Sequence, residues 1–133
     1  MSDVKLINPD TLIAPMGQYS HIARVKAGEL LFIAGQVGAD EDGNAPVDFD
    51  GQCALVFANL GAALASQGAS FANVVQFTTY LVRADDIASL RQYRTREFPR
   101  LFGGRGYPPN TLLIIDRLVR EDFLIEVSAI AAV

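Results

Sequence analysis

With 133 residues, half of them hydrophobic, the chain is long enough to bury a substantial core and is expected to fold as a single domain spanning 1–133. The 11 basic and 15 acidic residues leave a formal charge of −4, which lacks the footprint of a phosphate-backbone binder, so nucleic acid is not an expected partner. One cysteine, Cys53, and one histidine, His21, exclude a disulfide framework, a Cys/His zinc site and a Cys–His dyad, and no metal is expected. Met1 to Asp10 has no apolar signal region and no run approaches bilayer length, so the expectation is a cytoplasmic protein without membrane association.

In chain order, a short strand is possible at Val4 to Ile7, and Asn8-Pro9 and Pro15-Met16-Gly17 mark an irregular lead-in. Tyr19, His21, Ala23 and Val25 alternate with Ser20, Ile22, Arg24 and Lys26 as a strand. Ala27-Gly28 is a turn and Glu29 to Val37 a second strand, so the two are expected to form a hairpin. Gly35 inside that strand indicates a bulge or a close backbone approach. Gly38 to Pro46 holds Asp40, Asp42, Gly43 and Asn44 but lacks the glycine and final acid of a calcium loop, and reads as a solvated turn.

Asp48 or Asp50 caps a helix running to about Gln67, with Cys53, Val56, Phe57, Leu60 and Leu64 at helical spacing and Gly68 as its stop. Val74 to Val82 is a strand with substantial side chains on both faces. Asp85 and Asp86 open a second helix that Pro99 is expected to close. Arg91, Arg94 and Arg96 fall on this helix, where such a run mostly marks a solvated face. After Gly103-Gly104-Arg105-Gly106, the prolines Pro108-Pro109 lead abruptly into a strand from Asn110 to Ile115, and Phe123 to Val133 forms the last.

Two helices cover only one face of five or six strands. The other face, lined by Val74, Thr78 and Tyr80, is either wet or buried by copies of the chain, and its composition favours burial. Within the last strand Glu126 stands between Ile125 and Val127. A carboxylate in an apolar run either sits on a solvated face or is paired, hydrated or used.

Four blocks resemble the RidA/YjgF family of reactive-intermediate deaminases over nearly the whole chain. Gly17-Gln18-Tyr19-Ser20 is like its Gly-Pro-Tyr-Ser, and Leu31-Phe32-Ile33-Ala34-Gly35-Gln36-Val37 is like its Val-Phe-Val-Ser-Gly-Gln-Ile. Val74 to Leu81 is like its Val-Val-Lys-Thr-Thr-Val-Phe-Leu, and Ile125-Glu126-Val127-Ser128-Ala129-Ile130-Ala131 is like its Ile-Glu-Ile-Glu-Ala-Ile-Ala. The resemblance implies a chorismate-mutase-like α+β fold, a five- to six-stranded mixed sheet with two helices on one face. It also implies a homotrimer with a central barrel and small-molecule clefts between subunits. The chemistry implied is hydrolysis of imines or enamines such as 2-iminobutanoate and 2-iminopropanoate, without a cofactor. Tyr19 would line the cleft, Ala34 and Gly35 would offer backbone amides, and Glu126 would position the attacking water.

One departure matters. Deaminating members carry Pro-Ala-Arg-Ser/Thr, whose arginine grips the substrate carboxylate, where this chain has Pro108-Pro109-Asn110-Thr111. Asn110 beside Thr111 offers hydrogen bonds without charge, so standard deamination is not expected to survive unchanged. Arg91 is one candidate replacement across the cleft and Arg105 another, while Arg91 pointing to water is the plainer alternative. Two functions stay open, a RidA-like hydrolase and a non-catalytic trimeric metabolite binder. Ribonuclease activity ranks below both, since the chain is acidic and has a single histidine.

Overall fold

A computed structural model describes residues 3–133 as six strands and two long helices. In order these are β1 (Asp3–Ile7), β2 (Ile22–Lys26), β3 (Leu30–Val37), α1 (Phe49–Ser66), β4 (Val74–Leu81), α2 (Asp86–Phe102), β5 (Asn110–Ile114) and β6 (Ile125–Ala132). Four strands form a mixed sheet in the order β3-β6-β4-β5, with β4 and β5 parallel and the other pairs antiparallel. Both helices pack on one face of it, the α+β arrangement expected.

The core lies between that face and the helices. Along β6, Ile125, Val127, Ala129 and Ala131 are buried against them, and Glu126, Ser128 and Ile130 alternate onto the open face. On β4, Phe77, Thr79 and Leu81 point to the helices, while Thr78 and Tyr80 share the open face; Val74, expected there too, is buried in the core, because a register shift between Val74 and Gln76 breaks the alternation.

Helix α1 begins where Asp48 accepts a hydrogen bond from the Gly51 amide at 2.8 Å, and its expected stripe of Cys53, Val56, Phe57, Leu60 and Leu64 is fully or almost fully buried. Helix α2 runs past Pro99 to Phe102 and stops at Gly103, which adopts the left-handed conformation. Pro99 removes the hydrogen bond to the Thr95 carbonyl, but Thr95 is exposed, so water can satisfy that group. Phe98 and Phe102 therefore remain helical and join Phe57, Phe71, Phe77 and Tyr93 in an aromatic cluster. Phe57 meets Phe98 edge-to-face at 5.3 Å and stacks on Tyr93 at 5.4 Å.

The expected hairpin of β2 with β3 does not form. β2 pairs instead with β1, matching Val4 with Val25, as a separate two-stranded ribbon. At the Ala27-Gly28 turn the amides of Gly28 and Glu29 both donate to the Val133 carbonyl, and Val133 donates back to Glu29. The end of β6 thus captures the start of β3. The strand count holds, divided four and two.

Candidate active-site cleft and the open sheet face

A cleft of about 340 Å³ opens on the helix side of β5, between Ile87, Arg91 and Arg94 of α2, Asn110 and Leu112 of β5, and the lead-in from Met16 to Tyr19. The lead-in is held over it by specific bonds. His21 donates its backbone amide to Asn8 Oδ1 at 2.8 Å, Arg91 donates to the Met16 carbonyl at 2.8 Å, and the Met16 amide donates to the Tyr19 hydroxyl at 3.4 Å. On the cleft floor a directed chain runs through three side chains. Arg94 Nη2 donates to Thr79 Oγ1 at 3.1 Å, and the Thr79 hydroxyl donates to Asn110 Oδ1 at 2.7 Å.

Of the three arginines on this helix, Arg91 and Arg96 are exposed, and Arg96 forms ion pairs with Asp50 and Glu97. Arg94 is not on the solvated face. It is 8% exposed, lies over the Phe98 ring at 5.4 Å, and its Nε has no hydrogen-bond partner. Burial lowers its pKa from the ordinary arginine value to about 10. Burial also pushes the neighbouring Cys53 thiol far up, so Cys53 is a packing residue rather than a nucleophile.

Glu126 lies on the other face of the sheet, opposite Val37 of β3 and Tyr80 of β4. It is half-buried, and no cation among the described residues pairs with it. Its carboxylate passes directly over Gly35, where an added Cβ would come within 2.5 Å of Oε2. β3 also shifts register between Ile33 and Gln36, so both expected explanations of Gly35, bulge and close approach, apply together. Ala34 is exposed beside it, and Thr111 lies on the same open face, opposite Thr78 of β4.

The expected site residues therefore fall into two groups. Tyr19, Arg91 and Asn110 share the cleft, whereas Ala34, Gly35, Thr111 and Glu126 belong to the open face. The division follows from strand alternation: Thr79, bonded to Asn110, and Tyr80, opposite Glu126, are consecutive residues. Arg105 lines a different cleft, with Leu6, Phe71 and Pro108, and not the one that holds Asn110. Among the described residues, no group of three or more His, Cys, Asp or Glu side chains is placed to hold a metal ion. No helix there is long and apolar enough to cross a membrane.

Sequence reasoning passed over Arg94, Thr79 and Gln52. Gln52 of α1 is fully buried, donates to the carbonyls of Pro46 at 2.9 Å and Asp122 at 2.7 Å, and accepts from the Leu124 amide at 2.8 Å. It anchors the segment that delivers Glu126 to the open face. The signal for both Arg94 and Gln52 was helical spacing. Leu90, Arg94 and Phe98 recur every four residues, and Gln52 lies between Phe49 and Val56 on the buried stripe.

The Endoribonuclease L-PSP family model matches residues 10–133. The RutC family protein YjgH of Escherichia coli K12 is 32% identical over 129 residues, covering 90% of this chain and 93% of that one. The RutC family protein PH0854 of Pyrococcus horikoshii is 34% identical over 119 residues, with 88% of each covered. Among solved structures, the Rid family protein YyfB from Yersinia pestis has a TM-score of 0.87 at 28% identity over 98% of both chains. RidA from Psychrobacter sp. PAMC 21119 has a TM-score of 0.70 at 28% identity, covering 97% of this chain and 99% of that one.

Proposed function

The chain belongs to the RidA/YjgF family, and from that premise we propose that it hydrolyses a small imine or enamine in crevices between the subunits of a homotrimer, with Glu126 positioning the water. The observation that carries this reading is the Glu126 carboxylate, laid over Gly35 on the open face without a cationic partner among the described residues. The same face exposes Leu30, Phe32 and Leu113, the kind of apolar surface that subunit contacts cover. Because the sheet separates Glu126 from the cleft holding Tyr19 and Asn110, one crevice containing both needs two chains.

In the reaction, the water oxygen bonds to the imine carbon as Glu126 accepts a water proton. Glu126 passes that proton to the nitrogen, the hydroxyl of the tetrahedral adduct gives up the second as the carbon–nitrogen bond breaks, and ammonia and the carbonyl compound leave with the carboxylate restored. No cofactor enters the step. A second reading, a trimeric metabolite binder without turnover, draws on Asn110, a neutral side chain where deaminating relatives carry arginine.

Ammonia release from imines generated in solution separates the two. The hydrolase reading expects turnover that Glu126→Gln lowers by roughly 10²–10⁴-fold while 2-oxo acid binding persists. Equal rates for the two proteins, or a monodisperse monomer in solution, would refute it. Ligand binding by a trimer with no turnover on any imine would establish the binder.

A further inference from the structure

Glu126 is not alone on the open face. β6 runs between β3 and β4, and Glu126 stands opposite Val37 on one side and Tyr80 on the other. Residues directly opposed across antiparallel strands have Cβ atoms about 5 Å apart, yet no hydrogen bond joins Tyr80 to Glu126. The Glu126 carboxylate leans the other way, over Gly35 of β3. β3 and β4 lie two strand spacings apart, about 9–10 Å, so the carboxylate and the phenol flank a gap above the β6 backbone.

The groups around that gap have no other occupation. Among the described residues, the side chains of Glu126, Tyr80, Thr78 and Ser128 make no hydrogen bonds, although all four are half-buried. Thr78 and Ser128 are themselves opposed, one step further along the same face. Half-buried hydroxyls beside a carboxylate are costly unless they are paired, and the proposed assembly covers this face further. A site with several convergent polar groups is the kind that holds an ordered water.

We infer that the Tyr80 hydroxyl is a second hold on the hydrolytic water, which donates one hydrogen to Glu126 and the other to Tyr80 Oη and so turns its lone pair toward the imine carbon. A carboxylate alone fixes one hydrogen and leaves the water free to rotate about that bond. Acceptors on both sides fix it. Tyr80 exchanges no proton in the step, so it is a positioning residue and Glu126 remains the base. The inference rests on the hydrolase reading and adds to it a residue that acts through the water.

The test compares wild type, Tyr80→Phe, Glu126→Gln and the double variant on 2-iminobutanoate and 2-iminopropanoate generated in solution, with ammonia release as the readout. Phenylalanine keeps the ring and removes one oxygen, and circular dichroism and sizing establish that each variant is folded and assembled. Tyr80→Phe is expected to lower kcat by about tenfold or more and to leave KM within about twofold, because the hydroxyl holds the water and not the substrate. In the Glu126→Gln background the same change costs less than about twofold, since no activated water is left to orient. A residue that only supports the fold would cost the same in both backgrounds. In crystals of the wild-type oligomer a water bridges Glu126 and Tyr80 Oη, and in Tyr80→Phe it is displaced; if Tyr80→Phe does not assemble, the wild-type crystal carries the test.

Unchanged kcat in Tyr80→Phe, an equal loss in both backgrounds, a loss confined to KM, or wild-type crystals without the bridging water each overturn the inference. Beside Glu126-dependent turnover by wild type, those results leave the proposed function standing. No turnover of either imine by wild type, or turnover indifferent to Glu126→Gln, defeats the proposed function and this inference with it.

Discussion

Replacing Gln52 with leucine keeps the bulk of the side chain and removes its three hydrogen bonds. The Leu124 amide, which donates to Gln52 Oε1 at 2.8 Å, is then stranded at about 1–3 kcal/mol. The carbonyls of Pro46 and Asp122 each lose a donor at 2.9 and 2.7 Å, worth about 0.5–1.5 kcal/mol apiece. Leucine burial returns about 1–2 kcal/mol, so at mid-range values the net loss is about 2.5 kcal/mol. Urea unfolding at pH 7 and fixed protein concentration measures it, and a thermal scan should show a fall of roughly 7–15 °C. Gln52→Glu sharpens the test, since its carboxylate would face two carbonyl oxygens. The acid form is favoured in the folded chain, raising the folded pKa, so this variant gains stability as pH falls and loses it as pH rises. A Gln52→Leu loss below about 1 kcal/mol would refute the assignment of Gln52 as an anchor.

Gly35→Ala places a Cβ within 2.5–2.8 Å of the Glu126 side chain and must displace that carboxylate. Imine turnover should fall by roughly tenfold or more with little change in unfolding midpoint, whereas full activity would detach Glu126 geometry from catalysis. Asn110→Arg brings a second guanidinium toward Arg94 through Thr79, and should destabilise the protein by about 1–2 kcal/mol. Adding Arg94→Met should remove most of that penalty. Strict additivity in the double-mutant cycle would show that the two positions do not meet. Because burial holds the Arg94 pKa at about 10, below the usual arginine value, the unfolded chain binds more protons between the two values. Wild type should therefore gain stability there relative to Arg94→Met, read as the difference between their alkaline unfolding curves. A difference that stays flat with pH would contradict the burial of that charge.

Local pattern carried much of this molecule. The apolar stripe of α1, the two-sided character of Val74 to Leu81 and the solitary charge of Glu126 were each legible because burial imprints a period on side chains. Partner choice was not. The alternation from Tyr19 to Val25 fits any neighbouring strand, and only the capture of Gly28 and Glu29 by Val133, more than a hundred positions away, decides against a hairpin with β3. Asn110 was readable as a missing charge, but its compensation was sought at Arg91 and Arg105. Arg94 was hidden because its charge argued for solvent while its spacing from Leu90 and Phe98 argued for the core. Spacing prevailed, and the resulting orphan cation is what distinguishes the cleft.

Thr79 and Tyr80 are neighbours in sequence that look in opposite directions, and this has a consequence for mixtures. Under the proposed assembly, each polypeptide lends its arginine cleft to one crevice and its glutamate to another, so neither half is completed at home. Two inactive preparations, one damaged at Glu126 and one in the cleft around Asn110, would then rescue each other on exchange of subunits. Some crevices in the hybrids would inherit both sound halves, as in complementation between mutant alleles.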